Sequence, residues 1–372
     1  MSTLQSVKKA FKYIAERSFC WDVPRGRDVV FLDEVGSDRL IPFIGRGVSF
    51  FVIRHEKCIY VKHVFKSILR SNLLSNKGIY LNYFICIIEK VSPRLLITNV
   101  DNDPNHWKLD LNISKDIKFI TVQNGTHLLG KSSDVPREYR ERFLEAPPYY
   151  SNLLCFSQFD YDHYQKFGAI VENCHMIGSM SISEYISNYK RMDKEFDICI
   201  VANSRNNRSG CVKIIEYLAK YLDTHDVSVR IALKKDLVDE ALSDFNQLLC
   251  FDNVSIVERS KYSSHYLSDI SKVTIGHGST LLRQTFARGN KIYPLDFVDS
   301  TMHPPFDLLG YSLSPAYDDF ESHLDYLLDI DPGLYIEKNK SIMSYIDTFD
   351  TVSPPHVKFK KIVSDVFSHS DQ

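Results

Sequence analysis

Residues 273–296 read VTIGHGSTLLRQTFARGNKIYPLD. Val273, Thr274 and Ile275 have the character of a short buried strand. Gly276-His277-Gly278 break it, and Ser279-Thr280 carry hydroxyls suited to capping a helix. Leu281, Leu282, Thr285, Phe286 and Ala287 recur at helical spacing. Gly289 stops the helix, and Lys291-Ile292-Tyr293-Pro294-Leu295 form the next strand. Strand, glycine-rich turn, helix and strand make a βαβ unit. The turn matters because a helix N-terminus offers unpaired N–H groups and the positive end of a dipole to anions. Gly-His-Gly-Ser-Thr is not a Walker motif, since no Lys follows, and it is not a full GxGxxG. Taken alone, it also fits the capped helix of an ordinary α/β sheet.

The chain has 372 residues, which favours two domains, and 44% hydrophobic against 25% charged residues suits a globular protein with a sizeable core. A net charge of −2 carries no polyanion-binding signature, so nucleic acid is not an expected partner. Eight cysteines stand at 20, 58, 86, 155, 174, 199, 211 and 250, with no CxxC pair. That spacing suggests neither a zinc site nor a disulfide framework, and buried thiols in a reducing compartment are expected. No signal peptide opens the chain, and no apolar run reaches the ~18 residues of a membrane span. A cytoplasmic protein is the expectation.

Residues 3–19 have Leu4, Val7, Phe11, Ile14 and Ala15 on one helical face and Lys8, Lys9, Lys12 and Arg17 on the others. Two readings fit: a helix docked on the protein's own core, or a basic amphipathic helix on the cytoplasmic face of an anionic membrane.

Beyond it, apolar runs at 28–32, 48–53, 58–61, 94–99, 119–122 and 153–157 read as strands, with helices over 64–74 and 80–90. After residues 174–177, the charged run at 190–194 marks a domain boundary near residue 180. Strands at 196–202, 227–233 and 254–257 and helices at 212–222 and 262–270 then lead into the βαβ unit. Short helices are expected at 320–328 and 343–349, and a terminal helix at 357–367. The predicted layout is residues 1–180, residues 181–345, and a tail of 346–372 packing back across the junction.

Strands alternating with helices imply parallel sheets, whose ligands sit beyond the carboxyl ends of the strands. Two polar turns of the first half stand at such ends, Asp101–Asp103 and Gln123–His127, and together they suggest a cleft. In the second half Ser204, Arg205, Arg208, Lys234, Lys235, Arg259, His277, Ser279 and Thr280 fall near the ends of successive strands. Basic and hydroxyl groups converging on helix N-termini suit a diphosphate or nucleotide phosphate.

Several stretches also carry a resemblance in their order. Leu96–Pro104 (LITNVDNDP) and Phe119–Thr126 (FITVQNGT) resemble bacterial proteins of surface-carbohydrate biosynthesis (surface polysaccharide, O-antigen or capsule) with the GT-B glycosyltransferase fold. Met176–Ser179 (MIGS) resembles that family's entry to the second domain. Ile275–Leu295, with Ala287-Arg288-Gly289-Asn290-Lys291, resembles its donor-side unit. The chain departs from the family in placing His277 inside Gly-His-Gly, and in Gln284, near where many retaining members carry a ribose-binding Glu. The resemblance covers roughly residues 28–300.

The resemblance implies two Rossmann-like domains with parallel sheets facing across a cleft. It puts a glycan or lipid-linked acceptor on the first domain, at Asn102, Asp103, Gln123, Asn124, Gly125 and Thr126. It puts a nucleotide-sugar donor on the second, where Gly276, Gly278 and Gln284 join the basic and hydroxyl residues above. Basic side chains and helix dipoles would stabilise the leaving phosphate, with no metal and no cofactor besides the donor substrate. Asp101-Asn102-Asp103 has the DxD letters but lies in the acceptor half, so it reads as turn and acceptor contact. The expected reaction is glycosyl transfer, with Asp101 or His127 as the base that deprotonates the acceptor hydroxyl. Transfer of a polyol phosphate from a CDP-linked donor, and a non-catalytic GT-B-like scaffold, are the alternatives.

Overall fold

The computed structural model describes residues 18–34, 36–53, 57–70, 76–125, 147–166, 168–201, 208–232, 238–257, 260, 262–297 and 306–368. The side chains of residues 76–77, 208–209 and 238–242 are not among those described. The helix expected over 3–19 lies outside this set up to residue 17, and Ser18 and Phe19 belong to a strand instead.

The strands are β1 (Ser18–Cys20), β2 (Val29–Phe31), β3 (Phe50–Val52), β4 (Cys58–Tyr60), β5 (Leu95–Thr98), β6 (Lys118–Val122), β7 (Tyr149–Cys155) and β8 (Ile170–Met176). They continue with β9 (Phe196–Val201), β10 (Val229–Ala232), β11 (Val254–Val257), β12 (Ser271–Gly276) and β13 (Lys291–Pro294). Helices of eight or more residues are α1 (Val61–Arg70), α2 (Asn76–Val91), α3 (Pro104–Asn112), α4 (Gln158–Lys166), α5 (Arg208–Leu222) and α6 (Val238–Leu249). After them come α7 (Ser263–Ile270), α8 (Thr280–Ala287), α9 (Tyr317–Asp329), α10 (Pro332–Ile346) and α11 (Pro355–Ser368).

Two all-parallel sheets organise the chain. The first has the order β3-β2-β5-β6-β7-β8 and the second β11-β10-β9-β12-β13. Inner strands such as β2 and β5 are apolar on both faces because helices cover both faces. Val30 and Leu96 turn to α2, where Phe84, Ile87, Ile88 and Val91 wait for them. Their neighbours Val29, Phe31 and Ile97 turn the opposite way, to Phe359 and Val363 of α11. The period-two alternation of a strand thus sorts one sequence into two cores. Fully burying each such side chain contributes roughly 1.5–3 kcal/mol. In the second sheet Ile198 and Ile200 face Ile214, Ile215 and Leu218 of α5, while Cys199 and Val201 face Leu267 and Ile270 of α7.

The first sheet ends at Met176 and the second begins at Phe196. The last helix nevertheless belongs to the first sheet's core, and Arg94 donates to the Val366 carbonyl at 2.7 Å.

Four local expectations are corrected. The strand at Cys58–Tyr60 exists but pairs with β1 in a separate two-stranded ribbon. The short helix expected at 343–349 is the last turn of the 15-residue α10, whose cap at Asp347 ends it. Helices α4 and α6 were not expected as such; QFDYDHYQK in α4 is too polar to show an apolar stripe. Helix α3 follows the expected Asp101–Asp103 turn without having been expected itself; Asp103 caps it by accepting from Asn105 N, and Pro104 occupies its first position.

Candidate functional site at the carboxyl edges of two parallel sheets

In the second sheet β9, β10 and β11 advance in one direction, while β12 and β13 advance in the other from the far side of β9. The strand order therefore reverses between β9 and β12, which is where an open parallel sheet leaves a crevice at its carboxyl edge. Each of those two strands leads to a helix N-terminus, β9 to α5 and β12 to α8. The Gly276-to-Thr280 turn forms this edge. Gly278 has φ 53°, a left-handed conformation that glycine adopts without a Cβ clash. Ser279 Oγ accepts from Leu281 N and caps α8. Gly278, Ser279 and Thr280 are half-buried, so this rim of the turn reaches solvent.

His277 points inward. It is fully buried, its Nδ1 lies 2.9 Å from the Leu295 carbonyl, and it stands 3.6 Å from Asp296 Oδ1. Its ring packs on the first turn of α5 at Gly210, where a Cβ would sit 2.5 Å from His277 Cδ2. His277 is thus the spacer that brings the opening turns of α5 and α8 together. Gln284 is buried in α8. Arg208 opens α5, but its side chain lies outside the described residues, as do Ser204, Arg205, Lys234, Lys235 and Arg259.

At the first sheet the order reverses between β2 and β5. Their ends carry a polar cluster that the sequence did not single out. Asp33 Oδ2 accepts from Thr98 Oγ1 at 2.5 Å, and His106 Nδ1 lies 3.1 Å from the same hydroxyl. His106 Nε2 stands 3.5 Å from Asp33 Oδ1. All three residues are buried. The available signal was Asp33 directly after the first strand, but its meaning depends on the strand order.

The other candidates divide into rim and interior. Asn102 and Asp103 are half-buried, and Asn124 is exposed beside them, donating through Nδ2 to the Asn99 carbonyl at 2.7 Å. Asp101 is fully enclosed. Its Oδ2 accepts from Tyr164 Oη at 2.5 Å, its Oδ1 stands 3.4 Å from Asn124 N, and its carbonyl accepts from Tyr150 Oη and Trp107 Nε1. Asp101, one of the two candidate bases, braces the turn with its carboxylate in this structure. Gln123 is also interior. It donates to the Gly125 carbonyl and to Asp160 Oδ1, and it accepts from Phe156 N. Thr126 and His127 lie outside the described residues.

Asp160 is where the two domains meet. Arg283, one turn into α8, donates to Asp160 Oδ1 at 3.0 Å and to Oδ2 at 2.7 Å. Arg283 Nε donates to the Ile346 carbonyl at 3.1 Å, and Nη2 contacts that carbonyl as well. Burial by itself would raise the Asp160 carboxyl; the guanidinium, aided by Gln123 and Ser157, holds it below the ordinary carboxylate range. Nearby, burial pushes Asp347 up to about 7 against the pull of Arg283.

No known protein-family model matches the chain, and no curated protein matches it. Solved structures do. A UDP-GlcNAc 2-epimerase from Methanocaldococcus jannaschii, in complex with UDP-GlcNAc and UDP, is 13% identical over 91% of this chain and 98% of its own, with a TM-score of 0.53. A glycosyltransferase from Rickettsia africae is 13% identical over 93% and 100%, with a TM-score of 0.52. The wall teichoic acid polymerase TagF, soaked with CDPG, is 11% identical over 99% and 100%, with a TM-score of 0.51. At these identities the likeness shows the fold: the chain has the GT-B arrangement of two Rossmann-like domains.

Proposed function

We propose that this chain is a transferase that takes a sugar from a nucleotide-sugar donor to a surface glycan or lipid-linked acceptor, without a bound metal or further cofactor. The observation that carries the reading is the meeting of two helix N-termini, α5 and α8, at the switch point between β9 and β12. Helix N-termini, with the Ser279 and Thr280 hydroxyls on the rim, suit a diphosphate. Arg205, Arg208, Lys234, Lys235 and Arg259 would supply positive charge, and Ser204 a hydroxyl donor, as the phosphate leaves. The acceptor would lie along the first sheet's edge, near Asn102, Asp103 and Asn124, with Gly125 and Thr126 beside them. His127 is the base in this reading, and Asp101 holds the turn from behind. The protein would work on the cytoplasmic side, with residues 3–19 touching the inner membrane.

A second reading, transfer of a polyol phosphate from a CDP-linked donor, is favoured by the likeness to TagF over nearly the whole chain.

A thermal-shift screen with UDP, GDP, CDP, CMP, dTDP and their sugars tests the proposal. Ligand at 100 times its Kd should stabilise the fold by about 2.7 kcal/mol. The Ser279→Ala/Thr280→Ala pair should lose most of that shift, since each hydrogen bond to a charged group contributes roughly 1.5–3 kcal/mol. A shift with CDP-glycerol alone selects the second reading. Conversion of a nucleotide sugar with no acceptor present selects epimerisation, and no shift with any nucleotide selects a scaffold.

A further inference from the structure

Helix α1 is docked with its polar side inward. His63 and Ser67 are buried, His63 Nε2 lying 2.8 Å from Asp22 Oδ1 and Ser67 Oγ donating to the Val64 carbonyl. The opposite side shows Phe65 at 60% and Leu69 at 86% exposure, one turn apart. Lys62, Lys66 and Arg70 lie along the next strip of the helix. A helix held only by its own fold's core would turn the apolar pair inward.

The neighbouring strand has the same character. Phe19 and Trp21 are 57% and 68% exposed, and the Trp21 carbonyl accepts from Lys62 N, so β1 ends against the first turn of α1. Around them positive charge is crowded. Lys90 is held below its ordinary value first by desolvation and then by Arg25, Lys62 and Lys66, opposed by Asp22. Arg70 pairs with Glu89 at 2.8 Å, and Lys62 pairs with Asp22 at 2.7 Å. Five cations, Arg25, Lys62, Lys66, Arg70 and Lys90, thus face two carboxylates, Asp22 and Glu89.

We infer that α1 and the end of β1 form a docking surface for an anionic lipid bilayer. Phe65, Leu69, Phe19 and Trp21 enter the headgroup boundary and the cations meet lipid phosphates. Aromatic side chains at the level of the headgroups, rimmed by Lys and Arg, are what a bilayer surface selects. A protein partner with an apolar groove would not need the excess of positive charge, whereas anionic headgroups do. The surface takes in Phe19, the last of residues 3–19, and it does not depend on which reaction the chain performs.

The chain's own fluorescence reports the test. Of its two tryptophans, Trp21 is exposed and Trp107 is buried at 1%, so a blue shift on adding vesicles comes from Trp21. The full-length protein is mixed with vesicles of about one-third phosphatidylglycerol in phosphatidylcholine, or of phosphatidylcholine alone. Emission should shift blue and the protein should co-sediment with the anionic vesicles only, less so as salt rises. Phe65→Ser/Leu69→Ser, and separately Lys66→Glu/Arg70→Glu, should each weaken partitioning more than about tenfold with unchanged circular dichroism. Absence of shift and sedimentation overturns the inference. So does self-association in light scattering that Phe65→Ser/Leu69→Ser abolishes, which makes the surface an interface between copies. Variants that bind vesicles as the parent does also overturn it.

Discussion

Arg283 and Asp160 form a bidentate pair, at 3.0 and 2.7 Å, with side chains 1% and 4% exposed, and it fastens α8 of the second domain to α4 of the first. The helix that begins at the proposed phosphate turn is therefore anchored in the other domain one turn later. A nucleotide that orders the turn would act directly on the domain junction.

Removing one partner leaves a charge buried without compensation, which costs about 3–5 kcal/mol. Asp160→Asn and Arg283→Met should each lower stability by that order in urea unfolding. The double variant should lose less than the sum of the two, because no lone charge remains. Additive losses would show that the residues do not act as a pair.

Asp347 gives the junction a pH dependence. Its folded value is raised to about 7 from 3.8, so the unfolded chain ionises first as pH rises. Stability from this group is fully present below about pH 4 and is lost between about pH 4 and 7. Asp160 runs the opposite way: its lowered carboxyl contributes above the ordinary value and loses that contribution in acid. Asp347→Asn should remove the decline between about pH 4 and 7 in a series of melting temperatures, leaving the acid limb in place. An unchanged slope would remove Asp347 from the account.

Gly210 is the tightest point of the proposed donor site. A methyl group there meets the His277 ring at 2.5 Å. Gly210→Ala should push the first turn of α5 off the Gly276–Thr280 turn, costing roughly 1–3 kcal/mol of stability. Nucleotide affinity should fall with it. Adding His277→Ala removes the clash but also a buried ring, so the double variant should lose less than the sum of the two single losses. If Gly210→Ala melts and binds like the parent, the two helix ends do not depend on this contact.

The assignment of the base makes a kinetic prediction. His127→Ala should cut turnover by about 10²–10⁴-fold with little change in melting temperature. Asp101→Asn should lower the melting temperature by weakening the bonds to Tyr164 and Asn124, with turnover per folded molecule within about tenfold. A collapse of turnover in Asp101→Asn with normal stability would return the base to Asp101.

What could be read along the chain was what neighbouring residues decide. Apolar runs such as Val29–Phe31 and Ile198–Val201 are strands because both faces are covered, and the Gly278 and Ser279 turn starts α8 through its own conformation and cap. Those signals are local, so parallel sheets and a glycine turn at a helix N-terminus were legible in residue order alone.

Tertiary structure decided which ends meet. Arg283 finds Asp160 across 123 residues, and His277 finds Gly210 across the switch point. Asp33, Thr98 and His106 become one cluster only because β2 and β5 are neighbours. Gln123 and Asp101, expected as an acceptor contact and a candidate base, are enclosed by Asp160, Phe156, Tyr150 and Tyr164. Helix α1 shows the same limit in reverse, since its spacing gives an apolar side but not the direction that side faces. Periodicity records how a residue relates to its own helix or strand. The identity of the partner, and whether water or protein stands opposite, is set by the packing of elements far apart in the chain.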